Sequence, residues 1–553
     1  MRKIHLILLS MASGLLLSLA WPAGGFPGLL FIALIPLLYI EDLVCSDRNR
    51  FHGFSVLWYA WITFFLFNLL TTWWIKNSTL FGGTMAVVLN SLLMAVTFHV
   101  YHLSKRTIYG PGRGHLILAF YWISWEYFHL DWDLSWSWLN LGNGFASVPK
   151  WVQWYEFTGA FGGTLWVILV NILIYKTLRE LKYREFSKRQ PWIMGALAVL
   201  LIAVPLIYSI IRYHNWEDRG TPVEVVVSQP NIDPYGEQYE IPVEESVFRN
   251  LRLAEEKMDS TVDYLISPES SLQENIWEGE VERSLSARLI REYMQEYPGL
   301  KVVIGASSFR RYQEGEELSP TVRWHQGQGF WFDAYNTSLY FEEGREVETY
   351  HKSVLVPGVE KMPFRKYLTF MESAAIDLGG TVGSIAPDPV RKVVVPQDGT
   401  PVVATAICYE SAYGEFFSRF VRNGATLMFI ITNDGWWGNT PGHKQHLSFA
   451  SLRAIENRRC IARSANTGIS AFINQRGDIL QATPYGQPAV IRQSVMTNDK
   501  KTWYTVQGDY IARVSAFISA FLLLISITQS ILKRRTGSGL PRQRPKRTAE
   551  EQA

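Results

Sequence analysis

Eight apolar runs, most of them long enough to cross a bilayer, constrain this chain more than any other feature. A spanning helix needs about 20 mostly apolar residues. Runs of that kind lie at about 4–20, 27–43, 52–74, 83–103, 115–129, 160–176, 192–213 and 511–532. Seven of the eight crowd residues 1–213, and 15 of the 21 tryptophans fall in residues 1–216. These runs exclude a fully soluble, a disordered or a collagen-like chain. The fifth run, His115 to His129, is the shortest and carries Glu126. A carboxylate deep in a bilayer is costly, so Glu126 is expected at the outer end, reaching water. The first run follows Arg2 and Lys3 as in a signal peptide. Ala20-Trp21-Pro22-Ala23 is a poor cleavage site and six more runs follow within residues 1–213, so the run is expected to be retained.

Lysine and arginine in short loops set orientation. The loop after the second run carries Arg48 and Arg50, and that after the fourth Lys105, Arg106 and Arg113. The loop after the sixth carries Lys176, Arg179, Lys182, Arg184, Lys188 and Arg189. The tail holds Lys533, Arg534, Arg535, Arg542, Arg544, Lys546 and Arg547. The intervening loops have only Lys76 and Lys150. All basic loops fall on one side when eight spans are counted, so both termini are expected in the cytoplasm and 214–510 outside it. The domain division that follows is 1–213, a seven-helix bundle; 214–505, an extracytoplasmic soluble domain; 506–533, an eighth helix; and 534–553, a disordered basic tail. The loop 130–159 holds Trp132, Trp136, Trp138, Trp151 and Trp154, either an aromatic belt at the membrane surface or one wall of a site. Net charge is only +3, which gives no signal for nucleic acid. Three cysteines, Cys45, Cys408 and Cys460, are too few and odd in number for a disulfide framework.

From Val223 onward short β-branched runs alternate with amphipathic helices, the pattern of a layered α/β fold. Strands are expected at 223–227, 264–266, 301–305, 336–342, 346–350, 390–395, 401–407 and 426–431, and helices at 244–258, 284–297 and 415–423. Three chemically capable residues sit at strand edges. Glu269 follows the strand at 264–266, Lys352 follows that at 346–350, and Cys408 ends that at 401–407. A free thiol has a pKa of about 8.5 and needs a base or a cation to be nucleophilic at neutral pH. Glu269 could take the proton, and Lys352 could steady an oxyanion, an interaction worth about 3–4 kcal/mol. His351, His443 and His446 fit no zinc spacing, so no metal is expected.

The order Pro268-Glu269, then Lys352-x-x-Leu355-Val356-Pro357-x-x-Glu360, then Ile407-Cys408-Tyr409-Glu410, resembles the nitrilase superfamily with its Glu-Lys-Cys triad. Thr432-Asn433-Asp434-Gly435-Trp436-Trp437-Gly438, Gly442-His443-Lys444-Gln445-His446, Arg453-Ala454-Ile455-Glu456-Asn457 and Ala465-Asn466-Thr467-Gly468 are similar too. With the membrane part and Gln229-Pro230-Asn231-Ile232, the whole chain resembles the apolipoprotein N-acyltransferase family of Gram-negative bacteria. The resemblance implies a multi-domain membrane protein: about eight transmembrane helices plus a nitrilase-like αββα sandwich on the periplasmic side of the inner membrane. It implies Cys408 as nucleophile, Glu269 as general base, Lys352 as oxyanion residue and Glu360 as a second essential glutamate. Tyr409 and Glu410 would shape the pocket.

The implied reaction takes the sn-1 acyl chain of a phospholipid, typically phosphatidylethanolamine, onto Cys408 as a thioester. The α-amine of a diacylglyceryl-cysteine apolipoprotein then accepts it, with no cofactor. Two departures stand out. Ser267 replaces a tryptophan common before Pro-Glu, and Tyr235 and Tyr239 are the nearest aromatics where many members carry a gating tryptophan. Trp436 and Trp437 are read as a lid at the lipid surface. The rival readings are a membrane-bound amidase or nitrilase using water as acceptor, and a lipid transporter or binding protein that is no enzyme.

Overall fold

The computed structural model describes residues 2–535 except 48, 184–188, 365–383 and 400. Arg48, Arg184, Lys188 and the tail beyond Arg535 lie outside the described residues. All eight apolar runs are helical. Six of them are long and apolar enough to cross a membrane: Pro27–Ser46, Ser55–Asn77, Leu80–Ile108, Tyr155–Tyr183, Gln190–His214 and Tyr510–Arg535. Lys3–Leu19 has 17 residues and packs against Ser55–Thr72, where a Cβ on Gly14 would stand 2.5 Å from the Thr63 carbonyl oxygen. Ile117–Phe128 has only 12 residues, roughly 18 Å at 1.5 Å per residue. The last helix packs against it through small residues: Ser519 Oγ lies 2.8 Å from Ser124 Oγ, and Ala512 is buried against Ile123 and Phe161. Small residues let apolar helices approach where water gives no drive to associate.

Glu126 does not reach water. It is buried and accepts hydrogen bonds from Trp122 Nε1 (3.0 Å), Leu141 N (2.8 Å) and Thr164 Oγ1 (2.7 Å). A carboxylate in the bundle is tolerated because three donors replace its water, and in return it ties the tryptophan-rich loop to two helices. The sixth helix begins at Tyr155 rather than near 160 and breaks at Gly159, whose φ of 60° and ψ of −171° suit glycine alone. At the far end of the bundle Glu41, Asp42 and His115 have the residue types of a metal site. Lys105 Nζ already donates to both carboxylates, at 2.5 Å for Glu41, and Tyr175 OH donates to Asp42 at 2.6 Å.

The soluble part is built on two sheets. The first has the order β13-β1-β2-β4-β6-β5, with β3 on β4 and β7 on β6. Its strands are β1 (Pro222–Gln229), β2 (Tyr264–Ile266), β3 (Leu272–Trp277), β4 (Lys301–Arg311), β5 (Arg323–His325), β6 (Phe330–Phe341), β7 (Glu348–His351) and β13 (Ala489–Met496). The second sheet runs β12-β11-β10-β9-β8, from β8 (Val403–Ile407), β9 (Leu427–Thr432), β10 (Ile461–Ala465), β11 (Ala471–Ile473) and β12 (Ile479–Ala482). Alternation along β1 assigns its faces. Val225 and Val227 join the core shared with the second sheet, while Val226 joins Val247, Leu251 and Ile290 of the helices Val243–Glu255 and Leu285–Gln295. Tyr264 meets Phe429 across the sheets, centroids 5.2 Å apart. Helices Gly414–Arg422 and Pro441–Asn457 cover the other side, giving the αββα sandwich. The expected strand at 390–395 is absent. Pro389 and Pro396 bound the run, and only Val394 pairs, in a single bridge to Val403.

The helix Pro441–Asn457 rests on the bundle. Gln445 Oε1 accepts from Trp138 Nε1 at 2.7 Å, and its amide donates to the Thr71 carbonyl at 3.2 Å. Just beyond, buried Arg458 donates to Glu156 Oε2 (2.8 Å) and Gln153 Oε1 (2.7 Å).

Candidate active site

Three strand ends converge. Parallel β8, β9 and β10 carry their C-terminal ends to one edge of their sheet, the usual place for chemistry in such sheets. Cys408 leaves β8 with φ of 52°, left-handed and uncommon for a non-glycine residue, and opens the turn Cys408–Ala412. Its carbonyl oxygen accepts from Ser411 Oγ at 2.7 Å and lies 3.1 Å from His446 Nε2. His446 Nδ1 meets Asp434 Oδ1 at 3.0 Å, and Arg463 donates to Asp434 Oδ2 at 2.7 Å. A buried acid–imidazole pair thus supports the turn from behind. Burial pushes Asp434 up, but Arg463 and His446 outweigh it and hold the carboxyl below its ordinary range.

In front of the turn, Lys352 Nζ donates to Glu360 Oε1 at 2.7 Å and to Glu269 Oε1 at 3.1 Å. Asn336, midway along β6, gives its amide to the same two oxygens, at 2.7 Å for Glu269 and 3.2 Å for Glu360. The backbone N–H of Asn433 donates to Glu269 Oε2 at 2.9 Å, and that of Val356 to Glu360 Oε2 at 2.8 Å. The Lys352 side chain is 1% exposed. Burial opposes its charge, yet the two carboxylates hold its pKa well above the ordinary value. Burial and then Glu269 push the Cys408 thiol up, with Lys352 pulling the other way. The set can therefore hold a neutral thiol beside a carboxylate able to take its proton and an ammonium able to face an oxyanion.

Cys408 stands at the head of a cavity of about 520 Å³ that runs down the helix Leu80–Ile108. Tyr409, Trp136, Trp138, Trp437 and the 356–359 loop form its upper wall, and Met85, Leu89 and Leu93 extend it downward. Where Ile117–Phe128 ends, His129 and the following residues Leu134, Ser135, Trp136 and Trp138 line it. Trp136 and Trp138 therefore belong to a site wall rather than to a surface belt.

The residues singled out by sequence separate here. Glu269, Lys352, Glu360 and Cys408 come together. Tyr239, about one-third exposed, is pushed up to about 12 by burial and by Glu269 and Glu360. Tyr409 lines the cavity and donates from its hydroxyl to the Ser135 carbonyl at 3.0 Å. Trp437 packs its ring against Trp74 (4.8 Å) and Trp138 (5.6 Å). Trp436 does not line the cavity; it packs on Tyr235, whose hydroxyl donates to the Trp436 carbonyl at 2.8 Å. Glu410 is also absent from the wall. Its carboxylate accepts from Ser353 N, Ile407 N and Tyr350 OH, at 2.5, 2.8 and 2.8 Å, tying the Lys352 loop to the Cys408 turn. Ser267 is buried beside Ser228, Oγ to Oγ 3.0 Å. Of the histidines, His351 Nε2 sits 2.6 Å from Glu278 and His443 stacks on Tyr485. Sequence reasoning gave no role to Asn336, a polar residue inside an apolar strand. Asp434 and His446 lie in motifs visible in the sequence yet had no role assigned there, and Arg463 falls outside those motifs.

Residues 13–173 match the family model described as the apolipoprotein N-acyltransferase N-terminal domain, and residues 285–501 match that of carbon-nitrogen hydrolase. An apolipoprotein N-acyltransferase of Chlorobaculum tepidum is 31% identical over 534 residues, covering 94% of this chain and 96% of its own length. One from Geobacter metallireducens is 27% identical over 91% of this chain and 92% of its own. Among solved structures, Saccharomyces cerevisiae Nit3, a member of branch 10 of the nitrilase superfamily, is 15% identical, covers 53% of this chain and 95% of that chain, and has a TM-score of 0.36. With nearly its whole length matched to such a relative, and with both domain models in register, this chain belongs to the apolipoprotein N-acyltransferase family.

Proposed function

We propose that this protein moves a fatty acyl chain from the sn-1 position of a phospholipid, phosphatidylethanolamine being the favoured donor, to the α-amine of a diacylglyceryl-cysteine apolipoprotein. In the first half, Glu269 takes the thiol proton as Cys408 Sγ attacks the ester carbonyl. Lys352 faces the oxyanion, and the lysophospholipid alkoxide leaves with the proton held by Glu269. In the second half the amine attacks the thioester, gives its proton to Glu269, and the thiol re-forms as the amide is released. This is a ping-pong cycle needing no cofactor. Glu360 and Asn336 hold Lys352 and Glu269 in register. Tyr409 and Trp437 shape the cavity head, Tyr239 borders the two carboxylates, and Trp436 stands off the wall, packed on Tyr235.

One observation carries the reading: the cavity under Cys408 is apolar and follows a membrane-spanning helix. That suits an acyl chain drawn from the bilayer and gives water, the acceptor of an amidase, little purchase. The division proposed is a helical bundle over 1–213, a catalytic domain over 214–505, a final helix over 506–533 and a tail over 534–553. The membrane is the bacterial inner membrane, with the catalytic domain in the periplasm and both termini in the cytoplasm.

The test is the intact mass of the detergent-purified protein after incubation with phosphatidylethanolamine. Wild type should gain one fatty-acyl mass that hydroxylamine removes, and Cys408→Ala should gain none. Adding a diacylglyceryl-cysteine peptide should discharge the adduct onto its amine. Free fatty acid in place of an adduct would favour the hydrolase, and an adduct on Cys408→Ala would end the thioester scheme.

A further inference from the structure

The cavity below Cys408 has a polar floor. Along the helix Leu80–Ile108 its lining runs from Phe81 to Leu93, roughly 18 Å of helix. That is close to the depth of one leaflet, about half of a ~30 Å hydrocarbon core. The walls on the way down are apolar. Near its deep end stand two buried polar residues, Asn90, within one turn of Leu93, and His129. Asn90 Nδ2 donates to Asn68 Oδ1 at 2.7 Å, and His129 Nε2 meets Asn90 Oδ1 at 3.0 Å. Trp132 Nε1 donates to His129 Nδ1 at 2.7 Å, so the ring proton is on Nε2 and points at Asn90. Asn68 Nδ2 ends the chain on the Phe64 carbonyl at 2.8 Å.

This chain of hydrogen bonds crosses three elements: the helix Ser55–Thr72, the helix Leu80–Ile108 and the residue where Ile117–Phe128 stops. Its members satisfy one another, so the floor asks nothing of a ligand. It is also stiff, because moving any member strips partners from the others in a low-dielectric setting. A terminal methyl group that reached it could advance only by breaking those bonds.

We infer that the Asn68–Asn90–His129 chain is a ruler that fixes the length of acyl group Cys408 accepts. These are specificity-determining residues; none touches the reacting atoms. The inference rests on the reading that Cys408 carries the acyl chain.

The experiment presents the full-length protein in detergent with a mixture of phosphatidylethanolamines whose sn-1 chains differ in length, and reads the distribution of acyl masses on Cys408. Wild type should show a sharp upper limit. Asn90→Ala, which opens the floor, should move that limit to longer chains. Ala86→Phe fills the same stripe one turn higher, about 6 Å shallower, and should move the limit down by about five methylenes. The quantity read is a ratio of lengths within one sample, so lower overall activity in a variant does not obscure it. An Asn90→Ala distribution identical to wild type overturns the ruler. Should Asn90→Ala fail to fold, Ala86→Phe decides alone, and an unmoved limit there overturns it equally. No acyl mass on wild type from any donor would instead overturn the thioester reading, and the ruler with it.

Discussion

At Cys408 two local costs are set against each other. A left-handed non-glycine residue is unfavourable by about 1 kcal/mol or more, and the hydrogen bonds to its carbonyl from Ser411 and the His446–Asp434 pair hold it there. Burial and Glu269 both disfavour the thiolate, so at neutral pH the resting group is the thiol. Its reaction with a small uncharged electrophile such as iodoacetamide should therefore rise with pH to a midpoint clearly above the ordinary thiol value of about 8.5. A midpoint at or below that value, followed by mass spectrometry of the Cys408 peptide, would contradict a buried neutral thiol. Glu269, Lys352 and Cys408 were legible because each follows a short β-branched run, and the end of a strand is where a side chain leaves the sheet. Asn336 was not legible. It lies mid-strand, and its role depends on where two loops bring Glu269 and Glu360. Glu410 was misread for a related reason: adjacency to a nucleophile in sequence says nothing about which way a side chain turns.

Among the elements, breaks matter as much as lengths. The helix Tyr155–Tyr183 bends at Gly159, where a Cβ would stand 2.3 Å from the Tyr504 ring. Gly159→Ala meets both the left-handed backbone and that ring, so it should cost about 2–4 kcal/mol and lower the thermal unfolding midpoint in detergent. Thr158→Ala, next to it, should change little, and a Gly159→Ala protein as stable as wild type would remove any need for the bend. Apolar length located the eight apolar helices, though not the soluble helix Pro441–Asn457, and periodicity could not show the Gly159 break or the early stop of Ile117–Phe128. Both depend on what packs alongside. The lost strand at 390–395 carries the same lesson in reverse: its β-branched residues are right, but two prolines and the lack of a second neighbour leave it a single bridge.

For the molecule as a whole, the sandwich and the bundle are joined by buried contacts, the Gln445 hydrogen bonds and a buried ion pair among them. Arg458 reaches from the sandwich to Glu156, which is also held by Arg212 at 2.8 Å. Removing one partner of a buried pair costs about 3–5 kcal/mol, and Arg212 remains to temper it, so Arg458→Ala should cost about 3 kcal/mol and loosen the sandwich. Faster protease cleavage in the stretch 215–221, with Arg458→Lys recovering part of the loss, is the expected result. Equal cleavage rates would place the fastening elsewhere. Nothing in the sequence marked this junction, because its partners lie some 300 residues apart. A similar separation governs the packing of Tyr510–Arg535 against Ile117–Phe128. That short helix forms early in translation, yet the surface that covers it belongs to a helix made only after the whole sandwich. The membrane must harbour an incompletely walled bundle while the whole sandwich is made, so completion of the bundle waits for Tyr510–Arg535.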